Sequence, residues 1–293
     1  MIATVETPTL SIGYHDTGPR DGPVAILLHG FPYDVHCYDA VAPRLNQAGL
    51  RVLVPWLRGY GPTRFRNAGS LRSGQQAALA HDLLEFMDAL AIERATLAGY
   101  DWGGRAACIV AALWPERVHG LVSCLGYNVQ DIAGAAYPAT PEAEHRYWYQ
   151  YYLHGERGVR GLAVHREAFC RLLWRQWSPS WRFDDDEFLR SAAAFRNPDF
   201  DAVVVHSYRH RYGLVAGDPA YEHTERALAE LPPIRVPTIA LDGADDGVGP
   251  VGGSASHAGH FVGGWQHRTL AGVGHNPPRE APGPFAQAVL ELR

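Results

Sequence analysis

The sequence predicts an α/β protein, a mostly parallel sheet flanked by helices and interrupted by an inserted helical domain. Three observations carry this. Short apolar runs alternate with helical stretches along residues 1–128, the pattern of strands buried on both faces by crossover helices. The alternation stops over residues 129–232, where aromatic-rich helical segments and turn signals replace it. It resumes near residue 233 with an apolar strand, and the chain closes on a helix. The expected organisation is a core of residues 1–128 and 233–293 with a helical unit of residues 129–232 set into it, a natural size for a chain of 293 residues.

The elements follow in order. Leu10–Tyr14, Val24–His29 and Arg51–Pro55 read as strands. Gln76–Leu90 reads as a helix, with Leu79, Leu83, Phe86 or Met87, and Leu90 on one face. Ala95–Gly99 is an apolar run suited to a buried parallel strand. Gly103–Trp114 is Ala-rich and helical, with Pro115 as its stop, and Val118–Leu125 is the next strand. Leu231-Pro232-Pro233 ends the insertion. Val236–Leu241 and His267–Leu270 then read as strands and Ala281–Leu290 as the closing helix.

Composition narrows the function classes. Hydrophobic residues make up 46 % of the chain, enough for a sizeable core. The net charge of -5 is mild and every basic residue is a scattered Arg, so no nucleic-acid stripe is expected. Cys37, Cys108, Cys124 and Cys170 make no metal-type pair, and no metal or organic cofactor is expected. The first ten residues lack a basic segment followed by an apolar run, and no stretch of about 18 apolar residues occurs. The expectation is a cytoplasmic, reduced protein, monomeric or homodimeric, with no membrane partner.

The most informative segment is Gly99-Tyr100-Asp101-Trp102-Gly103-Gly104. Its spacing is that of a nucleophile elbow, where a sharp strand-to-helix turn admits only small groups beside the nucleophile. The residue at the nucleophile position is Asp101. A carboxylate there can attack carbon and form an ester with the enzyme. That chemistry points toward opening an epoxide or displacing a halide.

A base and an orienting acid follow in the chain order such a site requires. His275 lies in a Gly- and Pro-rich loop after the last strand, placed to activate water once an ester has formed. The strand Val236–Leu241 runs into Asp242-Gly243-Ala244-Asp245-Asp246. The Gly-x-x-Asp spacing from Gly243 selects Asp246 as the partner of His275. Asp245 and, more remotely, Asp131 are alternatives, and Asp242 is placed at the strand end.

Together with His29-Gly30-Phe31-Pro32 and Arg58-Gly59-Tyr60-Gly61-Pro62-Thr63, these motifs resemble the epoxide hydrolase branch of the α/β-hydrolase superfamily over nearly the whole chain. The resemblance implies an α/β-hydrolase fold with a helical cap, and the backbone N–H groups of Phe31 and Trp102 as an oxyanion hole. It also implies two cap tyrosines that hold the epoxide oxygen. Tyr149-Gln150 matches the first, and Tyr208-Arg209 resembles the second, with Tyr212 nearby as an alternative. A phenol near its ordinary pKa of roughly 10 can protonate the far more basic alkoxide of an opened epoxide. Trp102, Phe31, Tyr149 and Gln150 are the expected pocket residues. The aromatic-rich insertion suggests a largely apolar pocket for an apolar epoxide and water.

The same core motifs occur in haloalkane and haloacetate dehalogenases. Haloalkane dehalogenases need a second halide donor besides Trp102; Phe31 occupies one of its usual positions, and Trp148 or Trp174 would have to serve. Haloacetate dehalogenases place Arg after the nucleophile and again three residues on. Here Trp102 replaces the first and Arg105 matches the second, where it reads as a structural helix residue. Asn276 departs from the aromatic or apolar residue usual after the histidine. A non-catalytic ligand-binding protein on the same scaffold is the reading outside enzymes. The order of Asp101, Asp246 and His275 argues against it.

Overall fold

The computed structural model describes residues 2–249 and 252–293. Its strands are β1 (Ile2–Glu6), β2 (Leu10–Thr17), β3 (Val24–Leu28), β4 (Arg51–Pro55), β5 (Arg64–Phe65), β6 (Ala95–Gly99), β7 (Val118–Cys124), β8 (Thr238–Gly243) and β9 (Trp265–Leu270). Among the described residues they form one sheet in the order β1-β2-β4-β3-β6-β7-β8-β9, with β5 pairing β2. β1, β2 and β4 pair antiparallel; from β4 through β3, β6, β7 and β8 to β9 every pairing is parallel. This is the α/β arrangement the sequence predicts.

The core helices are α1 (Ala42–Gln47), α2 (Gln76–Ala89) and α3 (Asp101–Leu113). Between β7 and β8 lie α4 (Pro141–Arg146), α5 (Trp148–His154), α6 (Glu156–Trp177), α7 (Asp185–Ala192), α8 (Phe200–His210) and α9 (Glu222–Leu228). The chain closes with α10 (Pro277–Glu280) and α11 (Pro282–Glu291). β7 and β8 are parallel neighbours, so the helical stretch leaves and returns at one place in the sheet. It packs back over the loops at the carboxyl ends of the strands, where the Trp174 indole donates to the Pro32 carbonyl at 2.7 Å. α3 is the central packing helix. Ala106, Ala107, Ile109 and Val110 are fully buried; an aliphatic side chain the size of Val or Ile contributes about 1.5–3 kcal/mol when buried.

Differences from the sequence expectation have local causes. α3 starts at Asp101 rather than Gly103, because Asp101 itself opens the first turn. β8 starts at Thr238 rather than Val236. Pro237 has no N–H to give a ladder, although its carbonyl accepts from Leu121 N at 2.9 Å. β1 is an edge strand whose residues alternate between exposed and half-buried, so it lacks the apolar run that marks the central strands. All four cysteines are free and buried. Among the described residues, no helix is long and apolar enough to cross a membrane.

Candidate active site

The elbow is built by the absence of side chains. A Cβ on Gly103 would lie 2.1 Å from the Leu28 carbonyl oxygen, and one on Gly99 would lie 2.7 Å from the Gly103 carbonyl carbon. β6 and α3 therefore meet at backbone distance, and Asp101 sits between them at φ +51°. That left-handed conformation is costly for a residue with a Cβ and recurs at functional sites. Across the turn from β3, a Cβ on Gly30 would lie 2.5 Å from Asp101 Cβ. With Gly there, Phe31 N–H reaches the carboxylate and donates to Asp101 Oδ1 at 2.8 Å. Trp102 is the second residue of α3, a position where a helix leaves its N–H without an intrahelical acceptor.

His29 holds the first turn from below. It is fully buried and its Nε2 accepts from Leu57 N at 3.1 Å. Burial pushes its pKa down to about 4, so it is neutral. The Arg58–Thr63 motif braces the site, with Tyr60 packed edge-on to His29 at 4.9 Å and to Trp102 at 6.3 Å. Arg58 forms a buried ion pair with Asp82 at 2.6 Å, and Thr63 Oγ1 donates to the Trp56 carbonyl at 2.8 Å.

Of the four acids considered, Asp246 is the one that meets His275. Its Oδ2 lies 2.9 Å from His275 Nδ1, and its Oδ1 accepts from Val248 N at 2.6 Å and Gly249 N at 3.1 Å. Asp242 is buried within β8 and bonds His267 Nε2 at 2.9 Å. Asp131 accepts from Gly134 N at 2.7 Å, and Asp245 is tied through its backbone N–H to Val273 O at 2.9 Å. With Nδ1 directed to Asp246, His275 Nε2 faces Asp101 Oδ2 at 3.8 Å. That is an ion-pair separation and too long for a hydrogen bond.

The electrostatics follow from this three-residue line. Burial alone would lower the pKa of His275, but the charges of Asp246 and Asp101 outweigh it and lift the pKa to about 10. Burial alone would raise that of Asp101. The neighbouring His275, Arg105 and the Phe31 N–H outweigh it and hold the carboxyl below its ordinary value. The charges of Asp246 and Asp101 thus favour the protonated form of His275.

The histidine loop is fastened from two sides, by residues that stand in no recognisable motif. His275 N–H donates to the Trp177 carbonyl at 3.2 Å and to Ser178 Oγ at 3.0 Å. Glu280 accepts from Gly274 N at 2.7 Å, Asn276 N at 2.9 Å and Ser178 Oγ at 2.6 Å. Asn276 is buried beside the base, and its backbone serves this clamp.

A cavity of about 680 Å³ opens onto Asp101 and His275, with Tyr149, Gln150 and Tyr212 in its wall. Tyr149 is buried and its Oη accepts from Gln150 Nε2 at 2.9 Å. The ring of Tyr208 packs edge-on at 5.3 Å from Tyr149. Its buried Oη has no hydrogen-bond partner among the described residues. Burial raises the pKa of both phenols, and the Asp101 charge adds to this. Tyr212 Oη instead donates to Gln150 Oε1 at 3.2 Å.

The wall is mostly apolar, with Arg105, Arg211 and Gln130 standing among its aromatic residues. Two expectations need correction. The rings of Phe31 and Trp102 do not line the cavity; they stack on each other at 5.7 Å in the aromatic layer behind it. Arg105 makes no structural bonds, since its Nε and Nη1 are buried without a partner among the described residues. Arg211 escaped notice because an Arg at a helix end ordinarily reads as surface charge. Among the described residues no cluster of three or more His, Cys, Asp or Glu could hold a metal ion.

Comparison with known proteins places this geometry. Residues 23–282 match the family model of the alpha/beta hydrolase fold. The structure superimposes with a TM-score of 0.97 on that of a candidate epoxide hydrolase from Klebsiella pneumoniae, 48 % identical, covering 99 % of this chain and 96 % of that one. A haloalkane dehalogenase from Mycobacterium marinum is 35 % identical over 43 % of this chain and 42 % of its own length. Epoxide hydrolase 3 from Siraitia grosvenorii is 35 % identical over 42 % of this chain and 38 % of its own length. The matches thus span less than half the length of these two curated relatives.

Proposed function

Because the chain belongs to the α/β-hydrolase fold family, we propose that it uses the Asp101 elbow to hydrolyse an epoxide to a vicinal diol. Asp101 Oδ2 attacks a ring carbon, the carbon–oxygen bond breaks, and the ring oxygen takes a proton from Tyr149 or Tyr208. A hydroxyalkyl ester of Asp101 results. His275 then takes a proton from water, and the water oxygen adds to the ester carbonyl carbon. The oxyanion forms on Oδ1, where Phe31 N–H already points, with Trp102 N–H as the second donor; one such donor is worth on the order of 100-fold to 1000-fold in rate. Collapse releases the diol with the original Oδ2, and His275 returns its proton to that oxygen. The proton left on the new Asp101 carboxyl restores the tyrosine.

The observation that carries this reading is the pair of buried tyrosines: Tyr149, in the cavity wall with Asp101, and Tyr208, packed edge-on against it with a hydroxyl free of any protein partner among the described residues. An alkoxide leaving group needs such acids, whereas a halide does not. The rival dehalogenase reading lacks its second halide donor. The Trp174 indole donates to Pro32 O at 2.7 Å and that of Trp148 to Gln176 Oε1 at 3.0 Å. Residues 129–232 act in this scheme as a lid that brings both tyrosines over the core.

The test is the intact mass of His275→Asn after incubation with small epoxides and haloalkanes. A gain equal to a whole epoxide, abolished by Asp101→Asn, supports the proposal. A gain equal to the haloalkane less hydrogen halide replaces it with dehalogenation.

A further inference from the structure

Arg105 is the most anomalous charge in the molecule. It is 6 % exposed, and its Nε and Nη1 have no hydrogen-bond partner among the described residues. Other inward-facing arginines are paired: Arg58 with Asp82 at 2.6 Å, Arg51 with Asp16 at 2.8 Å. An unpaired buried guanidinium is expensive unless something supplies the missing acceptors. Arg105 lies four residues beyond Asp101 on α3, on the same helix face, and lines the cavity.

A second guanidinium stands near it. Arg211, from the end of α8, also lines the cavity and packs over the Tyr208 ring at 5.0 Å. Its protein partners are neutral amides: Gln150 Oε1 at 3.1 Å and, with that amide turned to accept, Gln130 at 2.9 Å. Burial first, and then the charge of Arg211, push the pKa of Arg105 down to about 10. Two positive charges thus crowd one wall, and among the described residues neither forms an ion pair with a carboxylate. The acids of the same cavity, Asp131 and Glu144, accept from Gly134 N at 2.7 Å and Ala139 N at 2.7 Å respectively.

Asp101 is the carboxylate whose charge acts on Arg105, and the proposed reaction removes it. Once its carboxylate is an ester, Arg105 has no counter-charge unless the substrate brings one. We infer that Arg105 and Arg211 form an anion subsite, and that the substrate is an epoxide carrying a carboxylate a few bonds from the ring. This deepens the epoxide reading and rests on it for the reactive group alone. The carboxylate takes no part in bond making. It pairs with the guanidinium groups of Arg105 and Arg211 where they line the cavity, while the rest of the substrate lies against the tyrosines.

The experiment separates the anion subsite from the epoxide chemistry. Binding of phenylacetate and of the isosteric neutral phenylacetamide is measured by calorimetry on the intact protein, its Asp101→Asn variant and its Arg105→Gln variant. Charge-assisted bonds of this kind predict that phenylacetate binds on the order of 10- to 100-fold more tightly than the amide. Arg105→Gln should remove that preference. Asp101→Asn, which mimics the uncharged ester, should enlarge it. Equal binding of acid and amide to Asp101→Asn overturns the subsite, whatever epoxides the enzyme opens. Turnover is then compared for an aryl epoxide bearing a carboxylate and for its primary amide. Here Arg105→Gln should lower the ratio of kcat/KM for the acid to that for the amide on the order of 10- to 100-fold. A charge preference in binding without turnover or ester formation by either epoxide would retain the subsite and sink the epoxide reading.

Discussion

His275 Nε2 stands 3.8 Å from Asp101 Oδ2 while its Nδ1 is held 2.9 Å from Asp246. The same imidazole thus senses both the acid that orients it and the nucleophile it later serves. With both carboxylates charged its pKa is lifted to about 10. In the proposed reaction, esterification would remove the Asp101 charge, so the pKa of His275 would fall and the base would be released when water must be activated.

The two half-reactions should therefore depend on pH differently. Ester formation needs only ionised Asp101, whose carboxyl is held below its ordinary value, so its rate should vary little between about pH 5 and 9. Ester hydrolysis should rise with pH and level off at an inflection below 10, as His275 loses its proton. Rapid-quench measurement of each step checks this; a shared inflection would contradict it. Stability moves with the same group. The raised pKa contributes below the unfolded value of 6.5, and the contribution is lost as pH rises toward about 10. His275→Asn should flatten that part of the stability profile in denaturant titrations.

Asp246 and Asp245 are adjacent in sequence but different in reach, since only Asp246 bonds the imidazole at 2.9 Å. Asp246→Asn should slow ester hydrolysis on the order of 10³- to 10⁴-fold through loss of tautomer and charge. Asp245→Asn should stay within about threefold of the parent. Single-turnover decay of the ester separates them, and equal losses would remove the assigned orienting role.

The tyrosines should act in the first half-reaction alone. Tyr149→Phe and Tyr208→Phe should each slow ester formation on the order of 10- to 100-fold, and the double variant by more than about 10³-fold. Decay of an ester already formed should be unaffected. The hydroxyl of Tyr208 has no protein partner among the described residues, so its removal should leave the melting temperature within about 1 °C. A slowed ester decay would reassign these residues to the second half-reaction.

Gly103→Ala tests the elbow as a packing device. The added Cβ would stand 2.1 Å from Leu28 O, backbone that cannot rotate aside. A cost of about 1–3 kcal/mol is expected, seen as a melting temperature lower by roughly 3–10 °C. An unchanged melting temperature would mean that β3 and α3 separate more readily than their contact suggests.

The parts of this molecule most legible from sequence were those in which chemistry and local backbone coincide. Asp101, Asp246 and His275 sit on turns where Gly marks a close approach, so short motifs located them and the structure brings them together. The buried central strands were legible for a similar reason, as uninterrupted apolar runs. The edge strands β1 and β5 were not, because half their side chains face outward. Tyr149 and Tyr208 were found through a resemblance and not through periodicity. Arg105 stood in a local motif but its lack of a partner did not; that, like the roles of Arg211, Ser178 and Glu280, depends on which distant surfaces meet, which a single sequence does not encode in any local pattern.

The main chain at Trp177 and Ser178 has a consequence for how this architecture can be rebuilt. Trp177 O accepts from Gly247 N at 3.0 Å and from His275 N at 3.2 Å, so one carbonyl at the end of α6 joins the loop bearing the acid to the loop bearing the base. A transplanted helical insertion would have to reproduce that carbonyl before any substrate preference could be read from it. Recombination at residues 129 and 232 therefore exchanges a part of the catalytic frame along with the pocket.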